Sequence, residues 1–194
     1  MDDFHSGWTD YYEENRDREP RPLLLEAIRR FGPRPGAAVD LGCGAGVETE
    51  AMLALGWSVL AVDEQKDAID RVRARVPAGD AERLCTVVSR MEDVDLRPVD
   101  LVWASFCLFF CDPDEFPDFW GRIAAAIRPG GRFAGQLLGD RDTWAARDDT
   151  TSFAADGARA LFDGFEIERF DEQEEDGDPG PKHWHGFHVM ARRA

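Results

Sequence analysis

The sequence predicts an α/β fold built on a mainly parallel, seven-stranded sheet. Short β-rich runs alternate with helix-patterned segments, and the first such run leads directly into a glycine-rich bend and then a helix. At 194 residues one hydrophobic core can serve the whole chain. Helices between successive strands are expected on both faces of the sheet.

The elements follow in order. Residues 20–31 (PRPLLLEAIRRF) read as a helix that opens on prolines and stops before Gly32-Pro33. Strands are expected at 38–41, 58–62, 84–88, 100–104 and 132–138, with helices near 46–55, 67–75, 115–127 and 153–162. Two further strands, 165–170 and 183–190, flank residues 171–181, whose six carboxylates with Gly and Pro read as a solvated loop. No repeat or domain boundary interrupts the chain. Residues 1–35 read as an N-terminal lid or helix segment on a core of residues 36–194, in a single domain.

Charge narrows the function. The formal net charge is −16, and only Lys66 and Lys182 are lysines. Such a field repels phosphate backbones, so nucleic acid is not the expected partner. No apolar run reaches the length of a membrane span, and the opening Met1-Asp2-Asp3-Phe4 is unlike a secretory signal. Cys43, Cys85, Cys107 and Cys111 show no zinc or redox spacing. A cytoplasmic protein with reduced thiols and no metal is the expectation.

The segment Ala38-Val39-Asp40-Leu41-Gly42-Cys43-Gly44-Ala45-Gly46 carries the chemistry. Glycines let a ligand approach the backbone, and the helix behind them presents free N–H groups. A bare strand–turn–helix junction and a dinucleotide loop are the competing readings. Val47 occupies the third glycine position of G-x-G-x-x-G, however, and Asp40 is a poor neighbour for a pyrophosphate. An acid before G-x-G-x-G suits the ammonium and sulfonium of S-adenosylmethionine (SAM). Asp63 then ends the second strand, where a carboxylate can accept both ribose hydroxyls.

VDLGCGAG, VLAVDEQ, VDLVWASFCLFF and IRPGGRF, in that order, resemble the successive motifs of class I SAM-dependent methyltransferases. The resemblance covers roughly residues 36–138, and the flanks are similar to the small tellurite-resistance-like branch. It implies a Rossmann-like sheet whose last strand runs antiparallel. It implies that Asp40, Gly42, Cys43, Gly44 and Gly46 hold the methionine part of SAM, that Asp63 binds the ribose, and that Glu64 flanks the adenosine. Arg90 stands where the family often has an adenine-reading Asp, which leaves Glu92 for that contact and Met91 for the adenine face. Ser105 and Phe106 fall where the family places groups near the SAM amino acid. The signature of amino-group methylation on nucleobases is absent there.

Ligands of open α/β sheets bind beyond the carboxyl ends of the strands. By that rule the acceptor rim holds Phe109, Asp140, Arg141, Trp144, His183 and His185, with Trp8 and Tyr12 folding over as a lid or packing on the 20–31 helix. His183 and His185 share a strand face while His188 points to the other, so the three do not converge on a metal. No catalytic residue is assigned. The expected activity is methyl transfer from SAM to a small molecule, leaving S-adenosylhomocysteine. A non-catalytic SAM-binding protein and an NAD-dependent oxidoreductase are the alternatives.

Overall fold

Near-continuous burial along the central strands, as expected of a parallel sheet covered on both faces, builds the centre of the molecule. The computed structural model describes residues 7–177 and 182–194. Strands β1 (Ala37–Leu41), β2 (Ser58–Asp63), β3 (Leu84–Val88), β4 (Val99–Ala104), β5 (Ile127–Leu138), β6 (Phe165–Asp176) and β7 (His183–Arg193) form one sheet in the order β3-β2-β1-β4-β5-β7-β6. β7 is antiparallel to both its neighbours and the other pairings are parallel. This is the Rossmann-like sheet expected, with its reversed last strand.

Helices α1 (Trp8–Asn15), α2 (Pro22–Arg29), α3 (Val47–Ala54), α4 (Lys66–Arg75), α5 (Phe116–Ala126) and α6 (Ala155–Ala160) fill the connections. Along β4, Leu101 and Trp103 join a core with Leu24 and Ala27 of α2 and Met52 of α3, while Val102 and Ala104 join one with Phe119 and Ile123 of α5. The period-two alternation thus feeds two layers of helices, one on each face. No helix among the described residues is long and apolar enough to cross a membrane.

Two expectations are corrected. Residues 171–176 are not a loop: they extend β6, with Asp171, Glu174 and Asp176 opposite His188, His185 and His183. The carboxylates are tolerated because β6 is an edge strand and its neighbours answer them. Arg141 forks onto Glu172 and Glu174 at 2.7 and 2.8 Å, and His183 Nδ1 lies 2.7 Å from Asp176. The rest of that expected loop, 178–181, lies outside the described residues. The strand expected at 132–138 begins instead at Ile127, because Ile127 already pairs with Val99 while Arg132 pairs with Leu101. Residues 128–131 bulge between those two pairs, with Gly130 at φ 79°.

The strand order reverses beside β1, whose neighbours are β2 and β4. At such a switch point the loops leaving the two strands part and open a crevice.

Candidate functional site

The bend after β1 is held from both sides. Gly42, Gly44 and Gly46 have φ of 61°, 50° and 80°, and the Cys43 amide donates to Val62 O at 3.0 Å, which ties the bend to β2. Gly46 lies at the start of α3 in left-handed conformation, with Val72 of α4 2.9 Å from where its Cβ would be.

Two buried carboxyls flank this bend. Asp40 is 2% exposed and accepts from Thr49 Oγ1 at 2.5 Å. Burial, which outweighs the Thr49 bond, pushes its carboxyl up to about 8. Asp63 accepts from the amides of Gly44 and Gln65, both at 2.9 Å, and from the Tyr12 hydroxyl at 3.5 Å. Burial raises Asp63 as well, and those two amides pull it partly back. Tyr12, 3% exposed on α1, brings the N-terminal helix against the second carboxylate.

These groups line a cavity of about 460 Å³. Asp40, Gly42, Cys43, Gly44, Asp63, Glu64, Met91, Glu92, Ser105 and Phe106 meet there, together with Trp8 and Tyr12. Gly46 is outside the lining and shapes the bend from behind. Glu92 is buried, with Arg90 as its ion-pair partner. Ser105 Oγ is buried with no hydrogen-bond partner.

A second cavity of about 510 Å³ adjoins the first across Trp8, Tyr11, Arg21, Phe106 and Phe110, which line both. Phe109, Trp144 and His185 of the expected rim line it. Asp140, Arg141 and His183 line neither cavity. Arg141 and His183 are instead held by the acids of β6. His185 has a structural reason to be where it is. Its Nδ1 accepts from the Arg141 amide at 3.1 Å, its Nε2 lies 3.0 Å from Glu172, and its side chain is fully buried.

Arg18, Arg21, Gln136 and His188 also line the cavities and were not among the residues expected there. The alternation of β7 had set His188 apart from His183 and His185. The cavity reaches both faces at this end of β7, His185 as well as His188, which alternation alone does not show.

Cys43, Cys107 and Cys111 are buried, and burial pushes all three thiols up, Cys111 to about 12. Cys85 is exposed. A thiol reagent is therefore expected to label one cysteine rapidly in the folded protein and the rest only on unfolding. Rapid labelling of Cys107 or Cys111, read by peptide mass, would contradict this packing. Among the described residues no cluster of His, Cys, Asp and Glu is arranged to hold a metal.

Residues 38–131 match the family described as "Methyltransferase domain". Curated relatives include a carboxy-S-adenosyl-L-methionine synthase of Colwellia psychrerythraea, 27% identical over 53% of this chain and 44% of that protein. A malonyl-[acyl-carrier protein] O-methyltransferase of Methylococcus capsulatus is 29% identical over 73% of this chain and 54% of its own length. The chain thus spans about half the length of the curated relatives it matches. Among solved structures, TehB from Haemophilus influenzae superposes with a TM-score of 0.78 at 15% identity, covering 96% of this chain and 67% of that one. A 1,6-didemethyltoxoflavin-N1-methyltransferase of Burkholderia thailandensis, solved with 1,6-didemethyltoxoflavin and S-adenosylhomocysteine, gives 0.70 at 24% identity, covering 97% and 86%.

Proposed function

We propose that this chain, which carries a class I SAM-dependent methyltransferase domain, moves a methyl group from SAM to a small-molecule acceptor. One observation carries the reading: two buried carboxyls flank a glycine bend at the switch point of the sheet, in a cavity that opens onto a second one.

The residues fit SAM. Asp40 would face its ammonium, the bend of Gly42 and Gly44 its methionine backbone, and Asp63 its ribose, with Met91 and Glu92 toward adenine. The unpartnered Ser105 hydroxyl has an unmet hydrogen bond on the same wall. SAM supplies a methyl on a sulfonium: its carbon–sulfur bond breaks with the pair staying on sulfur, as a lone pair of the acceptor forms the new bond. The protein's part is alignment, which can lower such a barrier by several kcal/mol. Any proton on the attacking atom departs to solvent. The N-terminal segment, described from residue 7, acts as the lid, since Trp8 lines both cavities and Tyr12 reaches Asp63. The net charge of −16 favours a small acceptor over a nucleic acid. Four free thiols suit a cytoplasmic setting.

Calorimetry tests the cofactor, and transfer of label from methyl-labelled SAM into a metabolite extract tests the activity. S-adenosylhomocysteine should bind and NAD should not. Binding of the dinucleotide alone would transfer the chain to the oxidoreductases, and binding with no transfer into any extract would leave a SAM sensor.

The raised Asp40 adds a pH signature. Below about pH 8 this carboxyl holds its proton in the free protein, and a cationic ligand favours its loss. Affinity for SAM should therefore climb as pH rises from 6 to 8, with up to one proton released per cofactor bound. Heats of binding in buffers of different ionisation enthalpy measure that release. Asp40→Asn should abolish it, and an affinity flat across this range would contradict the role given to Asp40.

A further inference from the structure

Arg21, the residue before α2, lines both cavities, and its Nε is buried with no hydrogen-bond partner. The acid whose charge acts on it, Glu48, is already filled. Glu48 takes both prongs of Arg18 at 2.6 Å and the Arg21 backbone amide at 3.2 Å. A guanidinium keeps its charge at neutral pH, and a charge drawn out of water calls for a partner. The face of this group is occupied and its edge is not. It lies 4.5 Å over the Phe106 ring, a contact that leaves its N–H groups to donate in their own plane. The Trp8 indole N–H, on the same boundary between the cavities, is also buried with no acceptor. Both groups donate and neither can accept. What they lack is a negatively charged oxygen.

Charge is scarce in the second cavity. Arg21 is the one arginine or lysine among the described residues in its lining. Its acids are Asp142, answered by Lys182, and Glu175, which is exposed to solvent. Gln136 is uncharged. Burial, then Arg169 and Arg21, lower the His188 opposite it on β7, which keeps that ring neutral at pH 7. Phe109, Phe110, Trp144 and Trp184 supply aromatic walls. On the cofactor side, Trp103 Nε1 and Ser105 Oγ are buried, unpartnered and line the first cavity alone. They suit the carboxylate of SAM and leave Arg21 to the acceptor.

We infer that the acceptor is a flat, largely apolar carboxylic acid, bound through its carboxylate to Arg21 with its rings between the aromatic walls. Nε–H and one terminal N–H form the side-on fork that matches two carboxylate oxygens. The inference rests on the methyl-transfer reading, which places the cofactor in the first cavity. The net charge of −16 repels anions at a distance, so a preference for a carboxylate must come from this local cation. A volume of about 510 Å³ has room for a two-ring body.

2-Naphthoate is the probe, titrated by calorimetry into protein saturated with S-adenosylhomocysteine at neutral pH. It should bind, and 2-naphthamide, of the same shape without the charge, should bind at least tenfold more weakly. Arg21→Gln should bring 2-naphthoate down to the level of the amide. It should leave 2-naphthamide and S-adenosylhomocysteine within about twofold of the unaltered protein, which also shows that the variant folds. Equal binding of acid and amide by the unaltered protein would overturn the assignment, and needs no variant. So would failure of both to bind the complex with S-adenosylhomocysteine. A loss of about tenfold in S-adenosylhomocysteine affinity on Arg21→Gln would give the guanidinium to the cofactor's own carboxylate, and the assignment would be lost. If S-adenosylhomocysteine does not bind the unaltered protein, the methyl-transfer reading falls and takes this inference with it.

Discussion

Asp63→Ala is expected to weaken S-adenosylhomocysteine binding by about 10- to 100-fold, the scale of a lost charge-assisted hydrogen bond of about 1.5–3 kcal/mol. Two losses combine. The carboxylate at the tip of β2 is the acceptor offered to the ribose. The same oxygens also hold the amides of Gly44 and Gln65 at 2.9 Å, so alanine leaves the bend around the methionine part untethered. Asp67→Ala, four residues on and paired with Arg71 on the surface of α4, is the control and should leave the affinity unchanged. Calorimetry reads both. A loss of less than threefold for Asp63→Ala would remove Asp63 from the ribose site.

Much of this site could be read from sequence because its parts are local. A strand, its glycines and the helix behind them are contiguous from Ala37 to Ala54, and Asp63 closes the next strand. Their meaning survives without knowledge of the rest of the fold. The acceptor side could not be read in that way. That both His185 and His188 reach the cavity depends on how the end of β7 packs against Phe106 and Trp144, which no local pattern in the sequence specifies. Gln136 looks like any polar residue in a strand until His188 is placed opposite it. The stretch 171–176 failed for a related reason. Charge and glycine content are local signals for a loop, whereas the ion pairs with Arg141 and His183 that hold those acids in β6 are tertiary. Tyr12 is a further case of a tertiary contact hidden in a local pattern. It is buried and reaches Asp63 across the bend, a contact that neither packing on the 20–31 helix nor its place in the sequence announces.

Gly42→Ala should be the most damaging small change in the bend, costing about 2–5 kcal/mol of stability along with cofactor affinity. Two independent penalties add. A left-handed φ of 61° costs a non-glycine residue about 1–2 kcal/mol. The new Cβ would also stand 2.6 Å from Cys107 Cβ, and relieving such overpacking costs about 1–3 kcal/mol. Cys107 cannot simply rotate away, because the contact is with its Cβ and its thiol is held at 3.1 Å from Leu41 O. Cys107→Ala should therefore rescue little, since the carbon at 2.6 Å remains and only the contact with Sγ at 3.2 Å is relieved. Cys107→Gly should recover the steric share and leave the backbone share in place. Urea unfolding of the single and double variants separates the two contributions. Full recovery by Cys107→Gly would mean that the left-handed turn costs nothing here, and that the glycine serves to fit the strand ends together rather than to shape a cradle for the cofactor.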